Sequence, residues 1–147
     1  MSVTTTIAAL QAVNGAIAGI RSAPAVIPPN LDTARLPIAL VWPDEATWRP
    51  QAIDLLMRAE RTYTVRVYVD PVAQDRTGAT NGYATCVTML ELFGRAYLAD
   101  ISLGGTVDHI TALTDSGVSG GSFDLLWGQV AYWGFVFKVT VVEKTAA

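Results

Sequence analysis

The sequence predicts an α+β domain: two layers, a largely antiparallel β-sheet with two helices packed on one face, and a projecting β-hairpin arm. Three observations predict it. Apolar residues recur at helical spacing in two separate stretches, 3–20 and 83–98. The run 53–69 alternates between apolar and polar with period two. The C-terminal part breaks into short alternating runs divided by glycine. The 147 residues suit a single domain, 1–147, with no internal repeat and no low-complexity segment.

The first helix is read from Val3, Ile7, Leu10, Val13, Ile17 and Ile20, which share one stripe. Thr4, Thr5 and Thr6 offer hydroxyls to cap its start. Gly15 and Gly19 weaken it or admit a close approach by another backbone. Residues 22–35 gather Pro24, Pro28, Pro29 and Asn30 and read as an irregular connector. LPIALVW, Leu36 to Trp42, reads as a short apolar strand ended by Pro43 and the acidic pair Asp44–Glu45.

The stretch Ile53 to Val69 is the most informative. Ile53, Leu55, Met57, Ala59, Tyr63, Val65, Val67 and Val69 hold the odd positions. Asp54, Arg58, Glu60, Thr62, Thr64, Arg66 and Tyr68 hold the even ones, and only Leu56 and Arg61 break the pattern. Residues 51–60 also suit a short helix, because Ile53, Leu56, Met57 and Glu60 fit helical spacing. The unbroken phase into the strand from Tyr63 favours one long strand. At about 3.3 Å per residue it reaches roughly 55 Å, whereas a domain of this size is about 40 Å across. The strand must bend or project. A projecting two-stranded arm, partnered by residues 44–52, is poorly stable alone and is expected to pack on another subunit.

Next comes the loop in VDPVAQDRTGATNGYAT, 69–85, and then a helix from Tyr83 to Leu98 with Asn81 as its cap. That helix is apolar nearly all round, with Cys86, Val87, Met89, Leu90, Leu92, Phe93 and Tyr97. Residues 101–122 hold TVDHITAL between glycines and read as one strand or a short helical turn. Phe123–Trp127 and Val130–Val142 read as a hairpin turning near Gly128–Gln129. On its second strand Trp133, Phe135 and Phe137 share a face with Val139 and Val141 and are expected in the core.

Composition narrows the function. Only 16% of residues are charged, 51% are hydrophobic and the mean hydropathy is +0.34. A chain this apolar is expected to bury part of its surface against neighbours. The net charge is −3, and the ten basic residues are scattered. That opposes gripping DNA phosphates and is compatible with lining a passage through which DNA slides without sticking. Cys86 is the only cysteine, so it forms no intrachain disulfide; a buried, inert thiol is expected. No basic residue precedes Arg21, and Gln11 and Asn14 interrupt the apolar N-terminus, which opposes a secretory signal. Leu125 to Phe137 is too short to span a bilayer as a helix. The chain reads as soluble and unexported.

Strand, glycine-containing loop, helix is the layout of a phosphate cradle, yet the residues at 70–82 do not make one. Gly78 and Gly82 enclose three residues and Tyr83 follows, so neither the P-loop nor the dinucleotide fingerprint is present. Arg76 is placed to meet an anion at the helix start. His109 is the sole histidine, and on a strand Asp108 beside it points to the opposite face. No G-x-S-x-G elbow accompanies them. Asp70–Asp75 and Asp108–Asp115 do not match a calcium loop. No catalytic residue, cofactor or metal is assigned. Trp42 and Trp48 flank the Pro43–Asp44–Glu45 turn, a position that favours partial exposure and interface use.

LPIALVWPDEATW, a variable stretch, RTYTVRVYVDPVAQ, a glycine-rich loop and an apolar helix together resemble the tail terminator proteins of long-tailed, non-contractile bacteriophages. The similarity covers roughly residues 1–144. It implies a small α+β structural protein of the virion, not an enzyme, with no cofactor. Such a protein caps the tail tube as a ring, expected to be hexameric, ends tube growth and presents the surface that joins the head. The implied partners are other copies of itself, the tail tube protein and the head-completion or neck protein, with DNA passing through the lumen without specific binding and no membrane. The implied place is the head–tail junction of the virion, after assembly in the host cytoplasm. On this reading Trp42, Trp48, Leu55, Leu56 and Met57 are candidate subunit-interface residues. Asp75, Arg76, Thr77 and Gly78 are the candidate lumen or partner loop. A neck or tail-tube subunit is the near alternative. A small-ligand-binding or enzymatic α+β domain, with a pocket around His109, Asp108 or Arg76, is the distant one.

Overall fold

The computed structural model describes residues 3–51, 56–72, 81–120 and 125–146. Helix α1 spans Val3–Ala16 and a single 3-10 turn spans Thr33–Arg35. Then follow β1 (Ile38–Gln51), β2 (Leu56–Pro71), α2 (Asn81–Ala99), β3 (His109–Gly120), β4 (Leu126–Trp127) and β5 (Val130–Ala146). The strands form one antiparallel sheet in the order β1-β2-β5-β3, with β4 hairpinned onto β5. The fold is the predicted two-layer α+β arrangement.

Period-two alternation decides which side chains meet the helices. Tyr63, Val65, Val67 and Val69 of β2 and Phe135, Phe137, Val139 and Val141 of β5 face one side. There they bury Leu10 and Ile17 from the first helical region, and Cys86, Met89, Phe93 and Tyr97 from α2. Trp133 is only partly buried beside them. The even positions turn away and build a second, smaller core. Ile38, Leu40, Tyr68 and Val136 pack there with Leu36, Leu125 and Tyr132, and Ile27 and Leu31 of the connector lie over them. The irregular connector therefore covers the face that the helices leave open.

Several sequence expectations change. The long strand exists, and the helical alternative for 51–60 is overturned: Gln51 belongs to β1 and Leu56 opens β2, while 52–55 lie outside the described residues. Pro43 and Asp44–Glu45 do not end β1. They form a bulge, with the register shifting between Pro43 and Ala46, and the strand continues to Gln51. Proline is tolerated because β1 is an edge strand and needs ladder bonds on one side only. The arm is not two-stranded either. Leu56 to Thr62 pair with Thr140 to Ala146, so β5 runs along the arm as a third strand. Helix α1 is shorter than the apolar stripe that predicts it. It ends at Ala16, and Gly19 (φ 95°) turns the chain out. Residues 109–120 are strand, not helical turn.

Polar groups inside the helix layer are joined to one another. Tyr97 of α2 donates to Asn14 Oδ1, and Asn14 Nδ2 donates to Gln11 Oε1 at 2.9 Å. Gln11 Nε2 donates to the carbonyls of Pro24 at 2.7 Å and Ala39 at 2.9 Å. One relay thus ties α2, α1, the connector and β1. Nearby, the buried Glu143 carboxylate accepts from Tyr63 Oη at 2.6 Å and Thr6 Oγ1 at 2.9 Å. Most buried polar groups in folded proteins are satisfied in this way. Burial, then the bond to and charge of Glu143, pushes the Tyr63 phenol up from its ordinary value. Burial does the same to Tyr97.

Candidate subunit interface

The bulge in β1 determines where the two tryptophans point. Before it, Trp42 stands opposite Thr64 and joins the second core, half-buried. After it, Trp48 stands opposite Ala59, on the helix-bearing face, and is 47% exposed. Each ring carries an arginine. The Arg66 guanidinium lies 4.7 Å from the Trp42 ring centroid and that of Arg61 lies 5.8 Å from Trp48. Arg61, an exception to the alternation, also donates to the Asp44 carbonyl at 3.1 Å. It holds the bulge against β2.

Beyond Trp48 the register sets three basic residues level across the arm. Arg49 is directly opposite Arg58, and Arg58 is directly opposite Lys144 of β5. Arg49 and Arg58 are exposed. With Thr47 and Glu60 they line a notch of about 110 Å³. Like charges directly opposed on adjacent strands are unfavourable, so the Arg49–Arg58 pair costs the fold stability. Sequence reading missed the three level residues, because the alignment of β5 with β2 is not visible along the chain.

The opposite sheet edge differs. Helix α2 ends beside the start of β3, where the Ile110 amide donates to the Ile101 carbonyl at 2.9 Å. Tyr97, Leu98, Ile101, Ile110 and Leu113 line a groove of about 310 Å³. Leu98 is 67% exposed and Ile101 51%. The last turn of α2 holds no basic residue, and Asp100 follows it. Asp108 precedes β3, and its Oδ2 lies 3.4 Å from His109 Nδ1. The expectation that Asp108 and His109 diverge is therefore corrected: Asp108 is not in the strand, so strand alternation does not separate the two. Both are solvent-open, at an edge rather than in a cleft.

Of the other predicted site residues, Leu56 and Met57 open β2 opposite Gln51 and Pro50. Leu55 and the loop residues Asp75, Arg76, Thr77 and Gly78 lie outside the described residues. A cleft of about 510 Å³ holds Arg21, Asp70 and Thr85 against Leu36, Pro37 and Met89. Cys86 is buried, and burial, then the charge of Asp70, pushes its thiol up to about 12. Among the described residues no three His, Cys, Asp or Glu side chains gather as a metal would require. No helix among them is long and apolar enough to cross a membrane. No family model and no curated protein matches the chain.

Proposed function

We propose that this chain is a structural assembly subunit that closes into a ring, in the manner of the phage tail terminators its sequence resembles. It caps the tail tube, stops its growth and offers the head-completion or neck protein a joining surface. DNA crosses the lumen without specific contacts, as an acidic chain favours. One observation carries the reading. Apolar side chains stand exposed at both edges of a single sheet, Trp48 at the β1 edge and Leu98 and Ile101 at the β3 edge. Two different patches on opposite edges suit head-to-tail contacts, which close into rings, rather than one self-complementary patch.

Light scattering on a sizing column, with negative-stain imaging, tests this. The expected mass is about 94 kDa, six times the 15.7 kDa of the chain, with ring views. A single species of 15.7 kDa at every concentration, with no ring on purified tails of a phage that encodes it, overturns the reading.

A further inference from the structure

The face of the sheet away from the helices carries a small polar notch on the arm. Arg49 stands directly opposite Arg58, and Thr47 directly opposite Glu60. Period-two alternation puts all four on one face, the reverse of the face that holds Trp48 and Ala59. All four are exposed, and together they line the notch of about 110 Å³. We propose that this notch binds a singly protonated phosphate group, either free phosphate or the end of a phosphate monoester. The site is complete within one copy and is independent of the ring reading.

The two cations carry the first part of the argument. Like charges held directly opposite each other across a ladder repel. Among the described residues neither Arg49 nor Arg58 forms an ion pair, and Glu60, in the same notch, bridges to neither. An oxyanion seated between the two guanidinium groups converts their repulsion into two attractions, each a charge-assisted hydrogen bond.

Shape and protons select the anion. Each guanidinium donates from a planar fork that matches a pair of oxygens. A tetrahedral group presents such a pair to both sides, whereas a planar carboxylate has one pair in all. The notch is far smaller than the roughly 300–1,000 Å³ of a site for a whole small molecule, so only the phosphate end enters. The Glu60 carboxylate then selects the proton, because an ionised carboxylate only accepts hydrogen bonds. A singly protonated phosphate gives it an O–H and leaves the other oxygens to the arginines and the Thr47 hydroxyl. Sulfate and a phosphodiester have no proton to give near neutral pH, so each turns a bare oxygen toward Glu60. The notch therefore rejects the nucleic-acid backbone, in keeping with a passage that DNA crosses without sticking.

Isothermal titration calorimetry on the full chain tests the site, at about pH 6, close to the second pKa of a phosphate monoester. The probes are inorganic phosphate, adenosine monophosphate, sulfate and dimethyl phosphate. Phosphate and the nucleotide are expected to bind at least tenfold more tightly than sulfate and dimethyl phosphate. Within that result, tighter binding of the nucleotide assigns the site to a monoester, and tighter binding of phosphate assigns it to the free ion. Arg49→Gln and Arg58→Gln are each expected to weaken phosphate binding at least tenfold with an unchanged circular dichroism spectrum. Both side chains are exposed, and either variant alone suffices for the test. Glu60→Gln is expected to erase the preference and raise the affinity for sulfate at least tenfold, because an amide can donate to a sulfate oxygen. Lys138 lies on the same face, level with Thr64 and so about 20 Å along β2 from Arg58. Lys138→Gln is expected to leave phosphate binding unchanged. General attraction of anions to basic side chains predicts the opposite pattern, with sulfate bound as well as phosphate and Glu60→Gln strengthening both alike. That pattern, undiminished phosphate binding in a folded arginine variant, or no phosphate binding by the wild type overturns the inference.

Discussion

At the residue scale, the least expected group is Glu143, an acid near the end of the central strand that is 2% exposed. Its carboxylate is held by two hydroxyls, from Tyr63 and Thr6. Tyr63→Phe removes the 2.6 Å bond and is expected to cost about 1.5–3 kcal/mol, the range for a hydrogen bond to a charged group, read from urea unfolding. An unchanged midpoint would show that the phenol adds nothing. The buried acids also fix an alkaline limit. Cys86 is raised from 9.0 to about 12, and Tyr63 and Tyr97 are raised above 10.0. In each case the folded state keeps its proton after the unfolded state has lost it. The contribution of these three groups is therefore fully present below pH 9, falls from pH 9 as Cys86 begins to matter, and falls more steeply above pH 10. The slope is at most about 1.4 kcal/mol per pH unit for each group. Cys86→Ala should flatten the limb between pH 9 and 10, which chemical denaturation across that range would reveal.

At the element scale, closeness of the β2 and β5 backbones is the controlling fact. A Cβ on Gly134 would stand 1.9 Å from the Val67 carbonyl oxygen. Gly134→Ala is expected to cost about 3 kcal/mol or more, or to prevent folding, because backbone rather than a flexible side chain must yield. Thermal unfolding close to wild type would contradict this. The same element shows what a sequence does and does not display. The β2 alternation was legible because period two is local, and so was α2, whose inward Cys86, Met89, Phe93 and Tyr97 keep helical spacing. Register was not legible. Which residue of β5 lies beside Arg58 depends on loops and bulges far apart in the chain, so the level basic residues stayed hidden. From sequence the bulge at Pro43 reads as a strand end, because proline and two acids ordinarily signal one. Gln11 and Asn14 read only as interruptions of the apolar N-terminus, although their amides join α1 to β1, the connector and α2.

At the scale of the whole molecule, predictions concern association. Trp48→Ser combined with Leu98→Ser removes an apolar side chain from each edge. The pair is expected to lower the assembled fraction at least tenfold at a fixed protein concentration, with the monomer still folded, as mass photometry would count.

The sheet order β1-β2-β5-β3 has a temporal consequence as well. One of the two inner strands, β5, is the last of the described strands to be synthesised. Until β5 leaves the ribosome, β2 has only β1 beside it, β3 has no partner strand, and the apolar side chains meant for the middle of the sheet lack their main neighbours. The core can close only once β5 has been made, and folding should be slow. Stalled nascent chains that end at Gly128 are expected to be protease-sensitive and chaperone-bound, whereas released chains become resistant. On the proposed ring reading, each copy would join its neighbours only as a finished piece.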